Sequence, residues 1–379
     1  MIPRLIEQKI IDDFKRKKVS LILGPRQVGK STLLEKIRED YRNTAIFECD
    51  YSDEAQMLED NTRNELMLQL QGHDMIQIDE AQRIKDVGLL IKKIGDLKLN
   101  IPIMVTGSSA LELASGIFDT AVGRVIEYHL FPFTLQELAM HTSRLDESKM
   151  LKHRMVWGLY PEIVIDPQNA RSNLKQLVND YLWKDLLTYK GVKRPEILRK
   201  LVQSLALQIG SEVSYNELSN MLKVDAETIE TYIGLLEKCF IVFRLPSFSR
   251  NQRNEIKKGK KVYFWDNGIR NAIIEAFTPI NLRTDVGALW ENLMVSERMK
   301  YNSYTSSWAE SYFWRTHDQA EIDYIEEGEE GIQAYEFKFN PTAKAKIPAS
   351  FAKSYPGSTF EVVTPDNYWN FVCGGKDRN

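Results

Sequence analysis

The stretch Gly24-Pro25-Arg26-Gln27-Val28-Gly29-Lys30-Ser31-Thr32 follows a short apolar run and precedes a helical pattern. It satisfies G-x-x-x-x-G-K-[ST], and the chemistry of that spacing is phosphate binding. The two glycines permit backbone angles that turn successive amide N–H groups into one concavity. A helix starting near Lys30 would add the positive end of its dipole. Lys30 can reach the β- and γ-phosphates as a point charge. The Ser31 hydroxyl can fill one position of an octahedral Mg²⁺. The expected ligands are ATP and Mg²⁺.

Met75-Ile-Gln-Ile-Asp79-Glu80 supplies the acidic complement. An apolar strand would deliver Asp79 to the carboxyl edge of a sheet, beside the phosphate loop, where it can hold Mg²⁺. Glu80 is the candidate general base for an attacking water. A further run ends Val105-Thr106-Gly107-Ser108-Ser109. A small polar side chain there can position the water near the γ-phosphate. Thr106, Ser108 and Ser109 are all open for that role, and a serine here can equally cap the next helix. Ser108 is counted with the nucleotide-binding residues. Arg124 follows Gly123 just before another strand. It is either a surface arginine or one that stabilises transition-state charge on a neighbouring subunit's nucleotide.

A second constellation lies near the carboxyl end. Glu291 sits in a helical pattern at Gly287–Tyr301, Asp323 in the strand-like run Glu321–Ile325, and Glu336 and Lys338 in Gln333–Phe339. Strand side chains repeat every two residues, so Glu336 and Lys338 should share a face. The set resembles the PD-(D/E)xK nuclease pattern. Asp323 and Glu336 would hold Mg²⁺ or Mn²⁺, Lys338 would orient or deprotonate a water, and Glu291 would complete the site. The plainer alternative is a solvated Glu-x-Lys face, or a nuclease-like fold without cleavage. His317 and Asp318 read as turn residues.

The elements that must position these groups can be read from patterning. Apolar runs at Val19–Leu23, Thr44–Glu48, Met75–Asp79, Ile101–Thr106 and Val125–Leu130 alternate with amphipathic helices. That alternation predicts a parallel sheet covered on both faces. The amino terminus reads as an amphipathic helix, and residues from about 131 to 210 as helical. Helical patterns at Glu196–Ile209, Tyr215–Lys223 and Ala226–Lys238 precede strand-like Ile241–Pro246 and Lys261–Trp265. The last unit adds strands at Ser311–Thr316 and Thr359–Val363, with a hairpin turn at Gly328–Gly331.

Tyr215–Lys223 and Ala226–Lys238 have the lengths of a helix-turn-helix, with Val224-Asp225 as turn and N-cap. The connection from Arg244 to Lys261 carries Arg250, Arg253, Lys257, Lys258 and Lys260 besides those two ends, against only Glu255. A basic wing of this kind suits phosphate contact. Glu227, Glu230 and Glu237 on the second helix have the wrong sign for it and favour a packing or partner role.

The 379 residues suggest two or three domains. Fifty basic against fifty-three acidic residues give a net charge of -3, which excludes nucleic-acid binding by bulk charge alone. No apolar run reaches the roughly 18 residues of a membrane helix, so no membrane partner is expected. The amino terminus lacks a signal peptide's apolar centre. Cys49, Cys239 and Cys373 are few, scattered and without zinc spacing, which suits a reducing, cytoplasmic setting.

Taken in order, Gly24–Ser31, Ile78-Asp-Glu-Ala-Gln82, Val105–Ser109, Gly123-Arg124 and Leu130-Phe-Pro-Phe133 resemble the AAA-type ATPase domain of bacterial and archaeal proteins that carry a DUF4143 domain. Gly158-Leu-Tyr-Pro-Glu162, Tyr181–Leu186, Val262-Tyr-Phe-Trp-Asp266, Trp314-Arg-Thr316 and Glu321-Ile-Asp323 extend the resemblance over nearly the whole chain. One departure is that residues 135–190 lack a second-sensor arginine. The resemblance implies an α/β fold: an AAA+-like P-loop ATPase domain at 1–135, a helical lid or connector at 136–195, a winged helix at 196–270 and a PD-(D/E)xK nuclease-like domain at 271–379. The function expected is a Mg²⁺-dependent ATPase whose nucleotide state controls the later modules, with DNA, a protein or further copies of the chain as partners. The alternative is an ATP-gated protein-binding switch with slow turnover and an inactive nuclease-like domain.

Overall fold

The computed structural model describes residues 1–107, 121, 123–179, 183, 186, 192–249, 259–316 and 318–374. The chain divides into two compact units. One comprises residues 3–131 with 238–240, and the other residues 132–237 with 241 onward.

The first unit is built on a five-stranded sheet among the described residues. Its strands are β1 (Val19–Leu23), β2 (Thr44–Glu48), β3 (Met75–Asp79), β4 (Ile103–Gly107) and β5 (Val125–His129). Their order is β2-β3-β4-β1-β5, with every pairing parallel. Every residue of β1 is buried, as expected of a parallel strand covered on both faces. The helices are α1 (Glu7–Asp13), α2 (Lys30–Arg38), α3 (Ser52–Asp60), α4 (Arg63–Leu70) and α5 (Val87–Asp96). A capping box between Thr62 and Glu65 starts α4, and the Asp86 side chain accepts from the Leu89 amide to start α5. Leu90, Ile91 and Ile94 make one buried stripe of α5.

The second unit opens with α6 (Leu135–His141), α7 (Arg144–Trp157), α8 (Pro161–Ile165), α9 (Ala170–Leu177) and α10 (Pro195–Leu207). Then come β6 (Glu212–Val213), α11 (Tyr215–Leu222), α12 (Ala226–Lys238), β7 (Val242–Pro246) and β8 (Lys260–Phe264). Asp225 caps α12, its Oδ1 accepting from the Thr228 amide at 2.7 Å. The three strands form an antiparallel sheet of order β6-β8-β7.

The chain continues through α13 (Asn267–Ile273), α14 (Val286–Thr305), β9 (Glu310–Arg315), β10 (Glu321–Gly328), β11 (Gly331–Phe337), α15 (Ala349–Ser354), β12 (Thr359–Val363) and α16 (Tyr368–Val372). The second sheet of this unit has the order β12-β11-β10-β9, antiparallel except for the parallel β11–β12 pair. The hairpin turn expected at Gly328–Gly331 closes β10 onto β11. Trp290, Leu293 and Met294 of α14 pack in one buried cluster with Tyr324, Phe337 and Phe371. A bridge between Ser247 and Phe313 joins the end of β7 to β9.

Four elements escaped the sequence reading: β6, α13, α15 and α16. Two strand residues or five to seven helical ones are too few to establish a period. The strand expected at Gln333–Phe339 ends at Phe337, so Lys338 stands just past it. The three segments expected after residue 135 pack as one unit.

Two motif segments far apart in sequence meet in this unit. The buried Asp266 carboxylate accepts from the Leu159 amide at 2.7 Å and from the Ile269 amide at 3.0 Å. At Gly158, a Cβ would stand 2.1 Å from Asp266 Oδ1. Only glycine admits that approach, and Gly158 also has φ +77°.

Candidate nucleotide site and carboxylate cluster

The phosphate loop joins β1 to α2 at the carboxyl edge of the first sheet. The backbone reason for its glycines differs between the two. Gly29 takes φ +92°, a conformation that favours glycine. Gly24 does not need a special angle. It is required because a Cβ there would lie 2.2 Å from the Leu130 carbonyl oxygen. Gln27 is left-handed as well, at φ +60°. Val28 is buried beneath the loop, Arg26 is partly buried, and Gln27, Ser31 and Thr32 are exposed.

Lys30 is buried. Its ammonium donates to the carbonyls of Gly24 at 3.1 Å and Pro25 at 2.9 Å. Burial pulls its pKa down to about 8, against the pull of Glu80 and Asp79 and with help from Arg26. The lysine is thus folded back on its own loop, with two acceptors that phosphate oxygens could replace.

Asp79 ends β3 and Glu80 follows it. Strand β4 lies between β3 and β1, and side chains reach across from β3 to the phosphate loop. Ser31 Oγ donates to Asp79 Oδ2 at 2.6 Å. Thr106, at the end of β4, donates to Asp79 Oδ1 and accepts from the Glu80 amide at 3.1 Å. Thr106 therefore braces the two acids. Ser108 and Ser109 lie outside the described residues. Glu80 has φ +53°, and its carboxylate accepts from Gln82 Nε2. Gln82 was not singled out as a site residue from sequence, and its i, i+2 spacing from Glu80 was the available signal. Ser31 and Asp79 bring two hard oxygens together at an exposed position, a donor set that suits Mg²⁺.

Arg124 stands at the other edge. Its carbonyl accepts from the Val19 amide at the start of β1, while the loop follows the end of that strand. Its Nε donates to Asp96 at 2.7 Å. It is not gathered with Lys30, Asp79 and Glu80 of its own chain. Cys49 lies near the acids, but burial, reinforced by Glu54, Asp79, Asp50 and Glu80, pushes its thiol up to about 12 and leaves it unreactive.

The carboxyl-terminal set does assemble, with additions. Glu291 comes from α14, Asp323 from β10, Glu336 from β11 and Lys338 from just beyond it. Burial, then Glu291 and Glu336, push Asp323 up to about 8, opposed by Lys261 and the Phe337 amide. Lys338 Nζ donates to Glu336 Oε1 at 2.7 Å, and the Phe337 amide to Asp323 Oδ2 at 2.8 Å. The unexpected member is Lys261. It was read as part of a basic stretch for phosphate contact, yet it is 1% exposed. Its ammonium lies 2.9 Å from Glu291 Oε1 and 2.6 Å from Glu321 Oε1. Tyr263 also donates to Glu291 Oε1, at 2.6 Å.

Among the described residues, no group of three or more His, Cys, Asp or Glu is placed to hold a metal. Glu291, Asp323 and Glu336 each accept from a nearby donor, and two lysines lie within the set.

Arg244, at the other end of the basic stretch, is also engaged. It donates to both oxygens of Glu237 through its amide and guanidinium, and to Tyr215 at 3.1 Å. Arg250, Arg253, Lys257 and Lys258 lie outside the described residues, as do His317 and most of Tyr181–Leu186. All three cysteines are free and buried. Among the described residues, no helix is long and apolar enough to cross a membrane.

Comparison with known proteins matches residues 16–139 to the "AAA domain" family, residues 148–280 to a domain of unknown function, DUF8612, and residues 286–368 to another, DUF4143. Similar proteins include an uncharacterized protein of Haemophilus influenzae, 24% identical over 68% of this chain and 69% of its own length. An uncharacterized protein of Mycobacterium tuberculosis is 27% identical over 82% of this chain and 68% of its own length. Among solved structures, a Walker-type ATPase of Pyrococcus abyssi is aligned over 72% of this chain and 96% of its own, at 14% identity and a TM-score of 0.49. A DNA replication initiation factor is aligned over 71% and 92%, at 16% identity and a TM-score of 0.26. The AAA match covers the phosphate loop with Asp79 and Glu80, and the DUF4143 match covers the carboxyl-terminal sheet. Residues 16–139 match the AAA domain and residues 286–368 match DUF4143, an order consistent with an AAA-type P-loop ATPase that carries a carboxyl-terminal DUF4143 domain.

Proposed function

We propose that this chain is a cytoplasmic, Mg²⁺-dependent ATP hydrolase whose nucleotide state acts on the segments after residue 131. The observation that carries the reading is the pairing of Ser31 with Asp79 at 2.6 Å, next to a buried Lys30 held by replaceable carbonyl acceptors. Bound Mg²⁺ would supply charge neutralisation on the phosphate oxygens. Ser31 and Asp79 are the residues that would hold it. Lys30 would exchange its carbonyl partners for phosphate oxygens. Glu80, steadied by Gln82 and Thr106, would orient a water and take its proton. The water oxygen bonds to the γ-phosphorus as the bond to the bridging oxygen breaks, and ADP leaves with that electron pair.

The test is ATP binding and turnover by the full chain with Mg²⁺. Lys30→Ala should lose both. Glu80→Gln should keep binding and lose turnover. Turnover that survives both substitutions would overturn the assignment.

Finer readings rest on element order. The succession α10, β6, α11, α12, β7, β8 with a three-stranded antiparallel sheet supports a winged helix within 196–270. The succession α14, β9, β10, β11, α15, β12 supports a nuclease-like fold. Arg124 would act in trans if copies of the chain assemble. For the partner, a protein is favoured over DNA, because the Arg244 charge is already paired with Glu237 and approached by Glu230. A DNA-binding assay on the full chain in both nucleotide states separates the two. Salt-dependent binding would favour DNA.

A further inference from the structure

The carboxylates of β10, β11 and α14 have the residue types of a divalent-metal centre, but their positive charge comes from the protein. Lys261 reaches them from β8, a strand of the other sheet in the same unit. Its ammonium sits between Glu291 and Glu321, at 2.9 and 2.6 Å. Tyr263 is two residues along β8, hence on the same face, and its hydroxyl donates to the same Glu291 oxygen. Asp323 Oδ2 takes the Phe337 amide, and Glu336 takes the Lys338 ammonium. An ammonium has three donors and no lone pair to offer a metal. A dication placed among these acids would meet the buried Lys261 ammonium at close range, which is unfavourable.

We propose that Lys261 is the resident cation of this cluster. It takes the place of a divalent ion and ties β8 to α14 and β10, so the carboxyl-terminal segment works without metal. This goes beyond the ATPase reading and does not depend on it.

The experiment counts Mn²⁺ bound to the nucleotide-free full chain by electron paramagnetic resonance. Asp79→Asn is included to silence the phosphate-loop position. Titration to millimolar Mn²⁺ should show no bound ion that depends on Asp323. A stoichiometric ion that disappears when Asp323→Asn is added would overturn the proposal. A bound ion unaffected by Asp323→Asn lies elsewhere and leaves the cluster metal-free, as proposed. Lys261→Met in the same background should raise Mn²⁺ affinity about tenfold or more, by removing a buried like charge. A folded Lys261→Met chain with unchanged Mn²⁺ binding would also overturn it. If that variant does not fold, the Asp323 comparison decides alone. Mn²⁺-dependent cleavage of linear or circular DNA that is lost in Asp323→Ala would overturn the proposal independently.

Discussion

Ser31 Oγ donates to Asp79 Oδ2 at 2.6 Å across 48 residues of sequence, over a strand that lies between theirs. The bond joins the end of the phosphate loop to the end of β3, the two positions from which a P-loop protein holds its metal ion. Thr106, on the intervening strand, donates to the other oxygen of Asp79.

Removing either partner should therefore act on metal use. Ser31→Ala and Asp79→Asn should each lower Mg²⁺-dependent ATP turnover by about 100-fold, equivalent to about 3 kcal/mol. Because the two act as a unit, the double variant should be little worse than the poorer single one. Turnover measured across a Mg²⁺ titration checks this. Full additivity would mean that the two residues work independently.

Gly24 and Gly72 separate two reasons for glycine. A Cβ at Gly24 would stand 2.2 Å from the Leu130 carbonyl oxygen. Gly24→Ala should therefore displace the loop, destabilise the chain by about 2 kcal/mol or more and weaken ATP binding. Gly72 has φ +85° with nothing within 4 Å of a Cβ. Gly72→Ala should cost only about 1 kcal/mol, from backbone strain, and leave ATP binding unchanged. Thermal melting and nucleotide titration together check both.

Arg298 and Glu326 form a buried pair, with Arg298 Nε 2.7 Å from Glu326 Oε1. Asn302 and Tyr324 also donate to that oxygen, at 2.6 and 2.9 Å. Arg298→Met alone strands the carboxylate and should cost about 3–5 kcal/mol. Adding Glu326→Gln should recover part of the loss. Melting temperatures of the two variants check the order.

Asp285 gives the chain an acid-sensitive joint. Burial raises its pKa, but Arg283 and Arg270 outweigh burial and take it from the ordinary 3.8 down to about 2. A depressed folded pKa means that the unfolded chain binds the proton first as pH falls. The contribution is whole above about pH 4 and is lost as pH falls towards 2. The stability advantage of the native chain over Asp285→Asn should be constant above pH 4 and shrink below it. Melting of both proteins across that range checks the sign.

Much of the fold was legible because its signals are local. The phosphate loop is contiguous, and its neighbours are a strand and a helix whose periods can be read within ten residues. Val19–Leu23, Thr44–Glu48, Met75–Asp79 and Ala226–Lys238 fall where patterning puts them. The carboxyl-terminal acids could likewise be listed from their elements alone. Strand order could not, since parallel neighbours are chosen by packing of helices that every strand permits. The place of β4 between β1 and β3 is one such choice.

Charge was the poorest guide. Lys261 and Arg244 read as the two ends of a basic stretch suited to phosphate contact, yet one is buried against Glu291 and Glu321 and the other is paired with Glu237. Sequence determined which side chains carry charge and which face of a strand they occupy. Only the tertiary structure decided which opposite charge each would meet, because a buried ion is stable only beside a partner, and that partner lies 30 residues away for Lys261 and Glu291.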